Sequence, residues 1–186
     1  VDKNSIVWFR TVTSTNDVAL SFVKQGCQEG LVVVSDFQTK GRGRQGRKWE
    51  SCFGKDLLFS LVLRPKSDFL QDQISLIAAV SVASVLKKKF NIICSLRWPN
   101  DIIFENKKLC GILVEGSPKD RYFVVGIGIN INSKMSELPQ YATSLSLIKK
   151  TTFDRKQILT YLIDYCEAIY RKAGRERNII LKEATF

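Results

Sequence analysis

The order in which the hydrophobic period changes along this chain limits its fold more than any other feature. Four short apolar stretches, residues 94–98, 102–105, 109–116 and 122–131, follow one another closely. Turn signals separate them, at Trp98-Pro99-Asn100-Asp101, Glu105-Asn106-Lys107 and Ser117-Pro118-Lys119-Asp120, so the run reads as a strand meander. Before it come a helix, two strands and a second helix. Ser14 sits as an N-cap with Asp17 three residues on, an acidic variant of the capping box. Val18, Ala19, Phe22 and Val23 then share one helical face, and Gly26 ends it. Leu31-Val32-Val33-Val34 is a buried strand running on to Gln38, and residues 57–63 form another, stopped by Arg64-Pro65. Over residues 72–90, Ile74, Ile77, Ala78, Val82, Val85 and Leu86 trace a long amphipathic helix, with Lys87-Lys88-Lys89 at the negative end of its dipole. Residues 154–173 make the closing helix, with Ile158, Leu162, Tyr165, Cys166 and Ile169 inward. Helices set against a mixed or antiparallel sheet define an α+β domain. The expectation is a single domain over residues 1–186, with the helices packed on one face of the sheet.

Between the first two strands lies Lys40-Gly41-Arg42-Gly43-Arg44-Gln45-Gly46-Arg47-Lys48-Trp49. Glycine lets main-chain N–H groups approach a ligand closely, and arginine offers a permanently charged fork matched to carboxylate and phosphate oxygens. Such a loop is an anion clamp, if it is more than a solvated basic loop. Gly41, Gly43 and Gly46 also fit G-x-G-x-x-G, but that dinucleotide fingerprint must open a helix and be followed by an acidic residue about 20 positions on. No helical apolar period follows Gly46, and Asp68 comes after a Pro65 turn. The nicotinamide and flavin readings fail on that mismatch.

With 186 residues the chain can bury roughly two thirds of its unfolded surface. No apolar run approaches the roughly 20 residues of a membrane span, and the N-terminus lacks a signal pattern, so a cytoplasmic protein without a membrane partner is expected. There is no histidine, which excludes a histidine base, a Ser-His or Cys-His pair and any His-based metal site. The five cysteines lack C-x-x-C spacing and read as free thiols in a reducing compartment. The formal charge of +11 calls for an anionic partner. Nucleic acid is one candidate class, but no zinc-finger, basic-zipper or RNP-type signature accompanies the charge.

Five motifs stand in order: Ser14-Thr15-Asn16; G-R-G-R-Q-G-R-K-W over residues 41–49; R-W-P-N-D over 97–101; K-L-C-G-I-L-V-E over 108–115; and G-I-G-I-N over 126–130. Each alone has an ordinary reading, as a helix cap, a turn, a bulge or a solvated lysine. Together, over about residues 14–132, they resemble the catalytic domain of biotin protein ligases. The resemblance implies a ligase that activates biotin with ATP and Mg²⁺ to biotinyl-5′-adenylate, then transfers biotin to a lysine of a biotin carboxyl carrier protein or domain. It implies that Ser14, Thr15, Asn16 and Gln38 bind the ureido ring. Gly111, Ile112, Leu113, Gly126 and Ile127 are implied as pocket walls, and Gly41, Arg42, Arg44 and Arg47 as the loop that closes over the biotin carboxylate and the phosphates, Gly41, Arg42 and Arg44 binding biotin. Trp49 is implied as an aromatic lid, Asn130 and Asn100 as nucleotide contacts, and Lys108 as the cation at the reacting carboxylate and phosphate. Arg44, Lys108 and Asp101 are the catalytic candidates, Asp101 for the incoming carrier lysine. The resemblance implies no protein metal ligands, Mg²⁺ being held mainly by phosphates.

The chemistry asks for these residue types. Carboxylate attack on an α-phosphate brings two anions together, so fixed cations must offset their repulsion. The acyl-adenylate must be kept from water, which glycine hinges permit. Two departures stand beside the resemblance: Arg97 occupies a position where members often carry lysine, and neither the family's N-terminal DNA-binding domain nor its small C-terminal β domain is recognisable, so no specific DNA binding is expected. An exposed sheet edge leaves a homodimer open. A lipoate or octanoate ligase or transferase of the same fold, and a basic nucleic-acid-binding module, are the competing readings.

Overall fold

A computed structural model describes residues 5–176 and 178–183. Its centre is one seven-stranded sheet, ordered β1-β2-β3-β7-β6-β5-β4. The strands are β1 (Ile6–Phe9), β2 (Val32–Ser35), β3 (Leu57–Leu63), β4 (Ser95–Arg97), β5 (Asp101–Phe104), β6 (Lys107–Ser117) and β7 (Tyr122–Ile129). Only β1 and β2 run parallel; the other pairs are antiparallel. The sheet is therefore mixed, in an α+β fold. The four strand-like stretches are β4 to β7, shifted by one or two residues at their ends, whereas β1 carried no alternation to reveal it.

Side-chain alternation gives the sheet two different faces. Along β3, Leu57, Phe59, Leu61 and Leu63 enter the main core, while Val62 joins a smaller cluster with Ala19 and Val23. The main core is closed by the two long helices, α2 (Asp68–Phe90) and α4 (Arg155–Ala173). The smaller cluster lies under α1 (Thr15–Lys24) on the opposite face. The long helices thus share one face as expected, and α1 alone crosses to the other, leaving beside it an open stretch of sheet. Two short helices, α3 (Leu145–Lys149) and α5 (Ile179–Glu183), complete the α-helices among the described residues.

Helix α2 begins at Asp68 rather than at residue 72, because Ser67 Oγ accepts the Leu70 N–H and caps the helix there. The helix is long and apolar enough to cross a membrane by length and composition, contrary to the expectation that no run approached that length. Most of its apolar stretch is buried within the protein, the mark of a core helix enclosed by sheet and α4. Helix α1 corrects another expectation. Ser14 holds the N-cap position, but its side chain makes no cap bond, and Asp17 is engaged with Arg42.

Candidate active site

The open face of the sheet beside α1 carries a cleft of about 660 Å³. Strand register decides what lies on its floor. Ser60 of β3 pairs with Gly126 of β7, which pairs with Leu113 of β6; one step along, Leu58, Gly128 and Gly111 form the next row. Three glycines on adjacent strands make a shallow trough. A Cβ on Gly126 would sit 2.3 Å from Asn16 Oδ1, one on Gly128 2.5 Å from Trp49 Cε2, and one on Gly111 2.8 Å from Trp49 Cζ3. Only glycine admits these contacts. Ile112 and Ile127 also border the cleft, but their side chains belong to the core on the far face, so they present main chain to it.

The start of α1 supplies the polar end. Ser14, Thr15 and Asn16 are buried. Gln38 Oε1 accepts from the Thr15 N–H at 2.7 Å and from the Thr15 hydroxyl at 3.1 Å. Ser60 Oγ lies 2.7 Å from Thr15 Oγ1 and 2.6 Å from Asn16 Oδ1, and its single proton serves one of them. Asn16 Nδ2 donates to Glu115 Oε2 at 2.6 Å. Ser14 lines the cleft with its hydroxyl uncommitted among the described residues.

The glycine–arginine loop folds back on itself. Trp49 N–H donates to the Gly41 carbonyl, Gly43 N–H to the Arg47 carbonyl, and Arg42 bridges Lys48 in a short antiparallel ladder. At the tip Gln45 and Gly46 take φ of 56° and 73°. No helix follows until α2, which disposes of the dinucleotide fingerprint structurally as well. Arg44, Arg47 and Trp49 all line the cleft, whereas Gly41 is buried at the loop's root, facing the Trp49 carbonyl and Gln38. Arg42 does not stand free, for it bridges Asp17 and Glu115. Arg44 and Arg47 meet no acidic partner among the described residues and remain exposed.

Lys108 enters from the other side. The β5–β6 hairpin turns on Glu105 and Asn106, with φ of 46° and 66°, the signature of a tight two-residue loop. A bulge follows: Ile102 pairs with Cys110 but Ile103 with Lys108. Leu109 and Cys110 therefore both enter the core, and Lys108 is turned onto the glycine floor. Its Nζ lies 2.8 Å from Asp101 Oδ1 and 5.2 Å from the centre of the Trp49 ring. Main-chain bonds with Tyr141 and Thr143 pin Lys108 further. Asn130 lines the cleft with its amide donating to the Lys108 and Thr143 carbonyls, and Asn100 donates to the Ile112 carbonyl at 3.0 Å. Six basic side chains (Arg42, Arg44, Arg47, Lys48, Arg97, Lys108) face two acidic ones (Glu50, Asp101) along the lining. The site suits an anionic ligand with a neutral, hydrogen-bonding end. Among the described residues no group of three or more acidic or cysteine side chains is placed to hold a metal ion.

Sequence reasoning missed Ser60, Gly128, Glu115 and Tyr141. A serine inside the apolar run Leu57-Leu58-Phe59-Ser60-Leu61 was a usable signal, and Glu115 follows Leu113 by the two-residue period of a strand. Tyr141, on a loop bordering the cleft, had none.

The geometry agrees with comparisons against known proteins. Residues 8–132 match the family model described as the biotin/lipoate A/B protein ligase family. The chain is 34% identical over 174 residues to the bifunctional ligase/repressor BirA of Bacillus subtilis, covering 89% of this chain and 54% of that protein. It is 30% identical over 161 residues to the biotin--[acetyl-CoA-carboxylase] ligase of Mycobacterium tuberculosis, covering 83% of this chain and 60% of that protein. The structure of the biotin protein ligase from Aquifex aeolicus in complex with biotin and ATP superposes with a TM-score of 0.80 at 34% identity, covering 92% of this chain and 72% of the other. The chain spans about half the length of the curated relatives it matches.

Proposed function

The chain belongs to the biotin/lipoate A/B protein ligase family, and on that premise we propose that it joins biotin to a carrier-protein lysine through biotinyl-5′-AMP. The observation that carries this reading is the joining, in one cleft, of an uncharged hydrogen-bonding end at Ser14, Thr15, Asn16 and Gln38 to a cationic end at Arg44, Arg47 and Lys108. Biotin has that polarity: a ureido ring at one end and a carboxylate at the other.

In the first step a biotin carboxylate oxygen attacks the α-phosphorus of ATP, and pyrophosphate leaves. Ser14, Thr15, Asn16 and Gln38 hydrogen-bond the ureido ring, and the main chain of Gly111, Ile112, Leu113, Gly126 and Ile127 forms the slot for the bicycle and its side chain. Lys108 and Arg44 offset the repulsion between carboxylate and phosphate and stabilise the charge that develops. Arg47 and Asn130 bind the nucleotide with Asn100, Trp49 covers the join between the two halves, and Gly41 and Arg42 hold the loop in place. Mg²⁺ would be held mainly by the ATP phosphates rather than by side chains of this chain, and would offset their negative charge. In the second step a neutral lysine of a carrier domain attacks the acyl carbon and AMP leaves. Only about one free lysine in 2,500 is neutral at pH 7, and Asp101 orients the amine and takes its proton. The basic surface steers an acidic carrier, an effect that salt weakens.

Biotin-dependent ATP–pyrophosphate exchange tests the first step directly. Its absence, or calorimetric affinities for lipoate within tenfold of those for biotin, would overturn the reading, since a site built for a ureido ring rejects an analogue lacking it by roughly 10⁴.

A further inference from the structure

Glu115 reaches both halves of the site at once. Its Oε2 accepts from Asn16 Nδ2 at 2.6 Å, and Arg42 Nη2 lies 3.1 and 3.0 Å from its two oxygens. We infer that Glu115 is a positioning residue that ties the pocket's polar end to the glycine–arginine loop by holding the Asn16 amide and the Arg42 guanidinium with one carboxylate. The inference rests on the proposed biotin reading for its kinetic readout, while the tie itself is measured without biotin.

An asparagine amide can flip, exchanging donor for acceptor. An ionised carboxylate only accepts, so Glu115 at 2.6 Å, with the Leu113 carbonyl at a longer 3.4 Å, draws Nδ2 to itself and turns Oδ1 toward Ser60 and the Gly126 main chain. That orientation makes Asn16 an acceptor toward the trough, the complement of a ureido N–H. The same carboxylate, with Asp17 on the other guanidinium nitrogen, immobilises Arg42. Arg42 pairs with Lys48 at the base of the loop, so its position sets where Arg44, Arg47 and Trp49 emerge. A plain surface ion pair would be worth little and would leave Asn16 and the loop unchanged on removal.

The test compares wild type with Glu115→Ala, Glu115→Gln and Asp17→Asn. Amide hydrogen exchange across residues 41–49 is followed without ligand, and biotin KM and kcat in pyrophosphate exchange with it. Glu115→Ala is expected to speed loop exchange several-fold and to raise biotin KM about tenfold while moving kcat far less, as loss of one charge-assisted contact implies. Glu115→Gln, which keeps an acceptor for Asn16, should raise KM less. Asp17→Asn should loosen the loop with biotin KM within about threefold of wild type, and it guards against a folding defect in the β6 variants. Adding Arg42→Ala to Glu115→Ala should change loop exchange less than Arg42→Ala does alone. Unchanged loop exchange in a folded Glu115→Ala protein, or full additivity with Arg42→Ala, would overturn the inference. Wild-type protein inert toward biotin but with its loop released by Glu115→Ala would instead sink the proposed function and leave the tie standing.

Discussion

Lys108 and Asp101 meet across the β5–β6 hairpin, Nζ to Oδ1 at 2.8 Å, although strand register sets Asp101 against Gly111 and Lys108 against Ile103. The intervening bulge makes the meeting possible. It holds the ammonium over the glycine floor, beside Asp101.

The two partners are expected to separate kinetically. Lys108→Ala should lower pyrophosphate exchange by roughly 10²-fold or more, the usual loss on removing a group that stabilises developing charge. Asp101→Asn should keep exchange within a few-fold but slow transfer of preformed adenylate to a carrier lysine by about 10²-fold. Near wild-type exchange in the lysine variant would remove it from the first step.

Gly126→Ala places a methyl group 2.3 Å from an Asn16 oxygen that Ser60 and Glu115 hold in place. The strand must shift or the network break, at about 1–3 kcal/mol. Urea unfolding should register that loss and calorimetry a biotin affinity at least tenfold weaker; unchanged binding would mean the trough is not the ureido site.

Glu137 and Lys55 form an ion pair that tethers the loop before Tyr141. The Lys55 ammonium, then the Lys134 N–H, hold the Glu137 carboxyl below its ordinary range, and the Glu137 hydrogen bond raises Lys55. A depressed carboxyl contributes stability above its unfolded pKa of about 4.3 and loses it as pH falls through the lower folded value. The lysine contribution disappears at the other end, as pH rises above about 10.4 through its folded value. A carbon-detected NMR titration of Glu137 should show a midpoint below the usual glutamate range that moves back toward it in Lys55→Ala, where the Lys134 N–H remains. An unshifted midpoint in wild type would dissolve the tether.

All five cysteines are free thiols. Burial pushes Cys94 and Cys166 up to about 11 and raises Cys110 further, and these three are buried whereas Cys27 and Cys52 are partly accessible. Iodoacetamide at pH 8 should label Cys27 and Cys52 in native protein and every cysteine in urea, read by intact mass. Native labelling of Cys110 would contradict the packing of β6.

Much of the sheet was legible because strands and helices write their periods locally: β2, β3, the four-strand meander, α1, α2 and α4 all follow from apolar spacing and turn residues. What escaped was short or context-dependent. Strand β1 is four residues that gain partners only beside β2, and the start of α2 hinges on whether Ser67 caps.

The residue types of the site, arginines between glycines, a lysine before a strand, and the Ser14-Thr15-Asn16 trio, were set by the sequence alone, because chemistry is carried by side chains wherever they lie. Which way those side chains face was decided by tertiary structure. A bulge at Leu109 turns Lys108 onto the open face, alternation sends Ile112 and Ile127 to the core, and Glu115 and Asp17 claim Arg42. Direction and pairing depend on register between strands distant in the chain, and spacing along one strand carries no record of its neighbour.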